Sequence, residues 1–185
     1  MKKLCGIDEA GRGPLAGPLV MAGVILHRPV EGLTDSKKLT EKRRERLFAT
    51  IVENSAFHIV TFDASAIDER GISACLRQGL EEIMATLPAD GYLFDGNTTF
   101  GIPGLECQVK ADLDIPQVSA ASILAKVTRD RIMVEMGKRY PRYGFEKHKG
   151  YGTNTHIEAI RLHGYCPIHR RSFRIKTLEQ PSFDF

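Results

Sequence analysis

An α/β fold, a mixed β-sheet flanked by helices, is predicted by three features of the sequence. Two short runs rich in Ile, Val and Leu follow one another near the start, and later apolar runs alternate with segments of helical period. The 185 residues, 42% hydrophobic and 26% charged, suit one globular unit with a buried core. A pure βαβ repeat does not fit, because no helix separates the first two strands.

Residues 4–8 and Leu19–Leu26 read as these strands, bounded by Gly and Pro. Between them, Gly11-Arg12-Gly13-Pro14-Leu15-Ala16-Gly17-Pro18 is a shaped loop. Thr40 can cap a charged helix over residues 41–54, whose Leu47, Ile51 and Val52 form its apolar face. The capping box is incomplete, since Arg43 stands where Glu or Gln would close it. Residues 57–62 read as a third strand. Leu76, Leu80, Ile83 and Leu87 recur at helical spacing and predict a helix over residues 73–87. Two short strands follow at 92–95 and 105–109, then a long helix over 117–139 and a short last helix over 155–163.

No repeat, low-complexity segment or linker interrupts the chain, so residues 1–185 are expected to form a single domain. The four cysteines are scattered without a C-x-x-C pair, which suits a reducing compartment. No apolar run approaches about 18 residues, and the first residues lack the apolar core of a secretory signal. A soluble, cytoplasmic protein is the expectation. The net charge of +3 is unevenly spread. Residues 126–176 hold 13 Lys and Arg against 4 Asp and Glu, while the remainder is net acidic and carries a second basic run at residues 37–46. An acidic body beside a basic third suggests a polyanion held against a metal-binding centre.

Asp8 and Glu9 end the first strand, where the chain turns to Ala10-Gly11-Arg12-Gly13. Acids in an apolar strand need a partner, because an unpaired buried carboxylate is costly. Neighbouring strand side chains face opposite ways, so these two share one site only if the strand bends or ends, which Gly11 and Gly13 permit. Asp95 closes another apolar strand and precedes Gly96, and Asp112 lies just past a third. An all-oxygen cluster of this kind suits Mg²⁺ or Mn²⁺ and not zinc. Two such ions about 4 Å apart can activate water and stabilise the leaving oxygen of a phosphodiester.

Five blocks make the chain resemble the bacterial ribonuclease HII family, the type 2 ribonucleases H, over nearly its whole length. They run from Gly6 to Pro18 (GIDEAGRGPLAGP), Asp35 to Leu39 (DSKKL), Asp95 to Asn97 (DGN), Ser119 to Asp130 (SAASILAKVTRD) and His148 to Thr153 (HKGYGT). The resemblance implies a ribonuclease H-like fold with a helical C-terminal extension, here the basic residues 140–185 packed on the catalytic domain. It implies an endonuclease that cuts the RNA strand of RNA/DNA hybrids and incises 5′ of single ribonucleotides in duplex DNA, leaving 5′-phosphate and 3′-hydroxyl ends. The implied catalytic and metal-binding acids are Asp8, Glu9, Asp95 and Asp112. One departure stands out: the family's fourth acid usually follows Lys-Gly, whereas this chain has Lys110-Ala111-Asp112, with Asp114 two residues on.

Phosphate is common to RNA and DNA, so selectivity has to come from the 2′-hydroxyl. In the family the loop matching Gly11, Arg12 and Gly13 and the tyrosine matching Tyr151 read the junction of ribonucleotide and deoxyribonucleotide. Lys37, Lys38 and Lys126 are phosphate candidates, and His148 is expected to be structural or to touch phosphate, with assistance to proton transfer as the alternative. Gln180, Phe183 and Phe185 faintly resemble a sliding-clamp-binding peptide. A hybrid-binding module without catalysis is the alternative reading. Nucleotide binding by the glycine loop is weak, because the Lys-Ser/Thr of a P-loop is missing.

Overall fold

A computed structural model describes residues 3–33 and 39–175. The described strands are β1 (Leu4–Ala10), β2 (Leu19–Leu26), β3 (Ser55–Phe62), β4 (Gly91–Asp95) and β5 (Leu105–Gln108). They form one sheet in the order β3-β2-β1-β4-β5. The pairs β1–β2 and β2–β3 are antiparallel, whereas β1–β4 and β4–β5 are parallel. The sheet is therefore mixed, as the sequence predicts.

The described helices are α1 (Glu41–Glu53), α2 (Ala64–Arg70), α3 (Ile72–Thr86), α4 (Pro116–Arg139), α5 (Phe145–His148) and α6 (Asn154–His163). Both faces of the sheet are covered, and β2 shows why its sequence is apolar throughout. Leu19, Met21 and Ile25 join a core with Ile67 of α2 and Leu76, Leu80 and Ile83 of α3. Val20, Ala22 and Val24 join a second core with Leu47 and Ile51 of α1 and Ala121, Leu124 and Ala125 of α4. Period-2 alternation thus feeds two layers from one strand.

Thr40 caps α1 by accepting from the Arg43 N–H, so the hydroxyl alone suffices. Helix α2 is not anticipated by hydrophobic period; Asp63 starts it, accepting from Ala66 N–H at 2.8 Å. A third, smaller core joins Met133 of α4 to Ala16, Tyr143, Phe145, Ala159 and Cys166, which holds α5 and α6 beside the loop that follows β1.

Gly6 sets the register between sheet and helix. A Cβ there would lie 2.3 Å from the backbone of Gln117 and Val118, so its absence lets α4 pass directly over β1. Two residues along the same face of β1 is Asp8, and one turn along α4 is Ser122. The close crossing brings these two side chains into hydrogen-bond contact.

Candidate active site

Carboxylate oxygens of Asp8, Asp95 and Asp112 lie within 4.8 Å of one another. Three elements deliver them. The parallel register pairs Ile7 with Phe94, so continuing it sets Asp95 beside Asp8. Asp112 arrives from a 3₁₀ turn, Ala111–Leu113, immediately after β5. That turn is aimed by Asp95, whose Oδ1 accepts from Lys110 N–H at 2.8 Å and whose Oδ2 accepts from Asp112 N–H at 3.3 Å.

The departure at Ala111 has a structural reason. Lys110 carries the left-handed backbone, with φ +62°, while Ala111 does not and is fully buried. Position 111 therefore needs no glycine in this chain. Asp114 is exposed and outside the cluster, so Asp112 is the acid that the fold turns inward.

Glu9 is placed differently. Strand β1 continues to Ala10 rather than ending at Asp8, yet the Glu9 carboxyl still interacts with that of Asp8 at the strand's end. Glu9 lines the same cleft, but its carboxylate lies 3.6 Å from Arg12 and is not among the three converging groups. Its Oε2 is buried without a hydrogen-bond partner. Burial first, and then the charge of Glu9, push the Asp8 carboxyl well above the usual range. Burial likewise raises Glu9, opposed by Arg12. Crowded, desolvated carboxylates and one orphaned oxygen suit an arriving hard cation, which would relieve the repulsion and occupy the free lone pairs.

The acids open on a cleft of about 750 Å³ whose far side is formed by Gly11, Arg12, Gly13 and Tyr151. Two arginines buried behind this wall, each only 1% exposed, hold the loop between β1 and β2. Arg129 donates to the carbonyls of Pro18 (2.9 Å) and Ala16 (3.1 Å). Arg170 donates to Gly17 (2.9 Å), Arg12 (3.2 Å) and Gly11 (2.6 Å). The backbone adds Gly17 N–H to the Ile168 carbonyl at 2.8 Å and Leu15 N–H to the Gly150 carbonyl at 2.9 Å. Burial, and then the neighbouring Arg129, pull Arg170 down to about 10, so both remain cations at neutral pH.

The two motif glycines differ in kind. A Cβ on Gly11, whose φ is +92°, would lie 2.1 Å from Arg129 Nε and 2.4 Å from the Pro18 carbonyl. A Cβ on Gly13 would meet nothing within 4 Å, and its φ is not positive. Internal packing explains the first glycine, and open cleft surrounds the second.

Tyr151 is 46% exposed at the cleft, with the Arg129 guanidinium 5.6 Å from its ring. Its carbonyl accepts from His156 Nδ1–H at 2.8 Å. His156 Nε2 then accepts from His169 Nε2–H at 3.1 Å, while His169 Nδ1 accepts from Cys166 N–H at 2.8 Å. Burial lowers both histidines to about 4, so they are neutral and their tautomers are fixed by these partners. His148 is tied to the backbone, with Nε2 donating to the Tyr143 carbonyl at 2.7 Å and Nδ1 accepting from Gly150 N–H.

Lys126 lines the cleft but is paired with Asp130 one turn along α4, at 2.7 Å. Lys37, Lys38 and the tail with Gln180, Phe183 and Phe185 lie outside the described residues. Sequence reasoning assigned no role to Ser122, Arg129 or Arg170. Ser122, Ala125, Arg129 and Met133 follow helical spacing on one face of α4, a signal that would have exposed Arg129 as a buried charge. Arg170 had no local signal.

An acidic site that suits a hard cation, carried on this mixed sheet, agrees with the class of metal-dependent endoribonucleases built on the ribonuclease H-like fold. The family model for ribonuclease HII matches residues 5–176. The chain is 62% identical to a ribonuclease HII of Sulfurovum sp. over 98% of its own length and 96% of that protein's. It is 59% identical to one of Aliarcobacter butzleri, covering 96% and 94%. Among solved structures it resembles ribonuclease HII in the PCNA:RNase HII complex of Archaeoglobus fulgidus, with a TM-score of 0.80, 27% identity and 98% of each chain covered. Ribonuclease H2 of Pyrococcus horikoshii is also similar, at a TM-score of 0.75 and 29% identity over 92% and 93% of the two chains. The chain belongs to the ribonuclease HII family.

Proposed function

We propose that this enzyme hydrolyses the RNA strand of RNA/DNA hybrids and incises 5′ of single ribonucleotides embedded in duplex DNA, leaving 5′-phosphate and 3′-hydroxyl ends. The observation that carries this reading is the convergence of Asp8, Asp95 and Asp112 in a cleft that Gly11, Arg12, Gly13 and Tyr151 also line. Asp8, Asp95 and Asp112 would hold one or two Mg²⁺ or Mn²⁺ ions, with Glu9 supplying a further oxygen. When bound, such ions supply Lewis acidity for attack by water on phosphorus and for departure of the 3′ oxygen.

The chain's own residues do the selecting and the positioning. Ser122 holds the Asp8 carboxylate by a hydrogen bond, and the Asp95 carboxylate holds the turn that carries Asp112. The open space at Gly13 admits a sugar against the backbone, where a peptide N–H can donate to a 2′-hydroxyl. Tyr151 packs its ring against the following deoxyribose. Lys126 exchanges Asp130 for a phosphate oxygen, and Lys37 and Lys38 contact phosphates further along.

We assign residues 1–185 to one catalytic domain, with 140–185 as its basic extension, acting in the cytoplasm. Four free cysteines support that compartment. Among the described residues no helix is long and apolar enough to cross a membrane. The tail at Gln180, Phe183 and Phe185 is proposed to contact a sliding clamp, a reading supported by the Archaeoglobus relative solved with PCNA.

The test is cleavage of duplex DNA holding one ribonucleotide, with Mg²⁺ and Mn²⁺ supplied separately. A single cut on the 5′ side of the ribonucleotide is expected. Salt-sensitive binding without metal-dependent product contradicts the reading.

A further inference from the structure

Arg170 and Arg129 are among the largest fully buried side chains of the molecule, and among the described residues neither joins a salt bridge. Their charges are met by backbone carbonyls, five in all, every one between Gly11 and Pro18. Arg129 Nη1 is buried with no acceptor, so its orientation is set by the loop and not by its own full satisfaction. Asp68 and Asp130 act on Arg170 and Arg129 only at a distance, so two like charges are buried with no carboxylate in direct contact, which is expensive and which ordinary packing of an eight-residue loop does not require.

Peptide geometry shows what this arrangement does. In a trans peptide the C=O and the next N–H point in opposite directions. Arg170 draws the carbonyls of Gly11 and Arg12 toward the interior. The N–H groups of Arg12 and Gly13 must then point outward, along the stretch that lines the cleft. Among the described residues, nothing accepts from either N–H. Arg129 fixes the other end of the loop and lies beside the Tyr151 ring, so one side chain touches both parts of the wall.

We propose that Arg170 and Arg129 are positioning residues for ribonucleotide selection: by gripping the loop carbonyls from behind, they present the Arg12 and Gly13 N–H groups to the ribose at the scissile phosphate. This rests on the reading that the loop and Tyr151 recognise the ribonucleotide junction. The two arginines never touch substrate. They act by removing the loop's alternative peptide orientations before substrate arrives, so that alignment of the phosphate over the acids costs little at binding.

The test compares wild type with R170K and R129K. Lysine keeps the charge but cannot span carbonyls in the fixed fork of a guanidinium. Folding is checked by circular dichroism and thermal melting. Single-turnover cleavage is then measured on duplex DNA containing one ribonucleotide and on duplex containing four in a row. Folded variants are expected to lose at least tenfold in the cleavage step with KM changed by less than about threefold, and to spread their cuts to neighbouring phosphates. A reduced folded fraction would scale yield without moving the cut, so cut position separates positioning from simple stability. Unchanged rate and cut position in both variants overturns the proposal. Absence of ribonucleotide-specific cutting by wild type overturns the underlying reading, and the proposal with it. Should neither variant fold, NMR of the wild type decides. Slow solvent exchange of both arginine Nε–H protons in the free protein supports a preset loop, and rapid exchange contradicts it.

Discussion

The Oδ2 atom of Asp95 accepts a hydrogen bond from the backbone N–H of Asp112 at 3.3 Å, so one cluster acid fixes the turn that carries another. Asp95 is thus both a member of the acidic cluster and the anchor of the 3₁₀ turn after β5. Asn at position 95 keeps one oxygen and loses the charge. Cleavage by D95N is expected to fall by about 10³-fold or more, since both the charge and the aim of Asp112 suffer. Gel assays of hybrid cleavage check this, and full activity in D95N contradicts it.

Asp8 is a case where function opposes stability. Its carboxylate is buried and pushed upward by burial and by Glu9, so D8N removes an unfavourable charge while Asn can still accept from Glu9 N–H. Without divalent ions, D8N is expected to be as stable as wild type or more so, by about 1 kcal/mol. Its cleavage is expected to vanish. Urea unfolding in EDTA measures the first quantity, and marked destabilisation of D8N would falsify the strained-cluster account.

The same repulsion predicts stabilisation by metal. Wild-type Tm should rise on adding Mn²⁺ or Mg²⁺, by the equivalent of about 2.7 kcal/mol when the ion is at 100 times its Kd. The rise should be largely lost in D8N and D95N. An equal rise in all three proteins would place the binding elsewhere.

Gly11 and Gly13 are predicted to fail in different ways. Alanine at 11 places a Cβ 2.1 Å from Arg129 Nε at a left-handed φ, so a loss of roughly 2 kcal/mol or more is expected. Alanine at 13 meets nothing, and stability should change by less than about 0.5 kcal/mol. Its cleavage at a single ribonucleotide should nonetheless fall by about tenfold, because the methyl enters the substrate's space. Thermal melts paired with cleavage rates distinguish the two, and a fully active G13A contradicts the placement of the sugar.

Acid should loosen the region behind Tyr151. His156 and His169 are held near about 4 in the folded protein, below the ordinary value of 6.5. Below 6.5 the unfolded chain therefore binds more protons than the folded one, and stability falls as pH drops toward 4. The pair should contribute a loss of roughly 2–4 kcal/mol between pH 7 and pH 5. Urea midpoints across that window check the slope, and an H156Q/H169Q double variant should flatten it.

Much of this arrangement was legible in the chain. Acids that follow apolar strand residues, at Asp8 and Asp95, stand out against their neighbours, and β2 is apolar throughout because it feeds two cores. Alternation along a strand raised the question of whether Asp8 and Glu9 could share a site; both line one cleft and interact, although β1 runs two residues further than its apolar stretch suggested. Helix α2 was missed because its start depends on one Asp63 cap rather than on a repeating apolar face. Arg170 could not be found from sequence, since its carbonyl partner Gly11 lies 159 residues away. Local pattern shows which residues are unusual; which of them meet depends on chain crossings such as that of α4 over Gly6.

Asp8, Asp95 and Asp112 are proposed to form together a seat for a hard divalent cation. Anomalous diffraction from crystals of the wild-type protein soaked in Mn²⁺ tests it most directly. A manganese peak is expected within coordination distance of carboxylate oxygens from all three residues, absent in D95N crystals treated alike. A well-occupied peak elsewhere, with these three carboxylates left without metal, would contradict it.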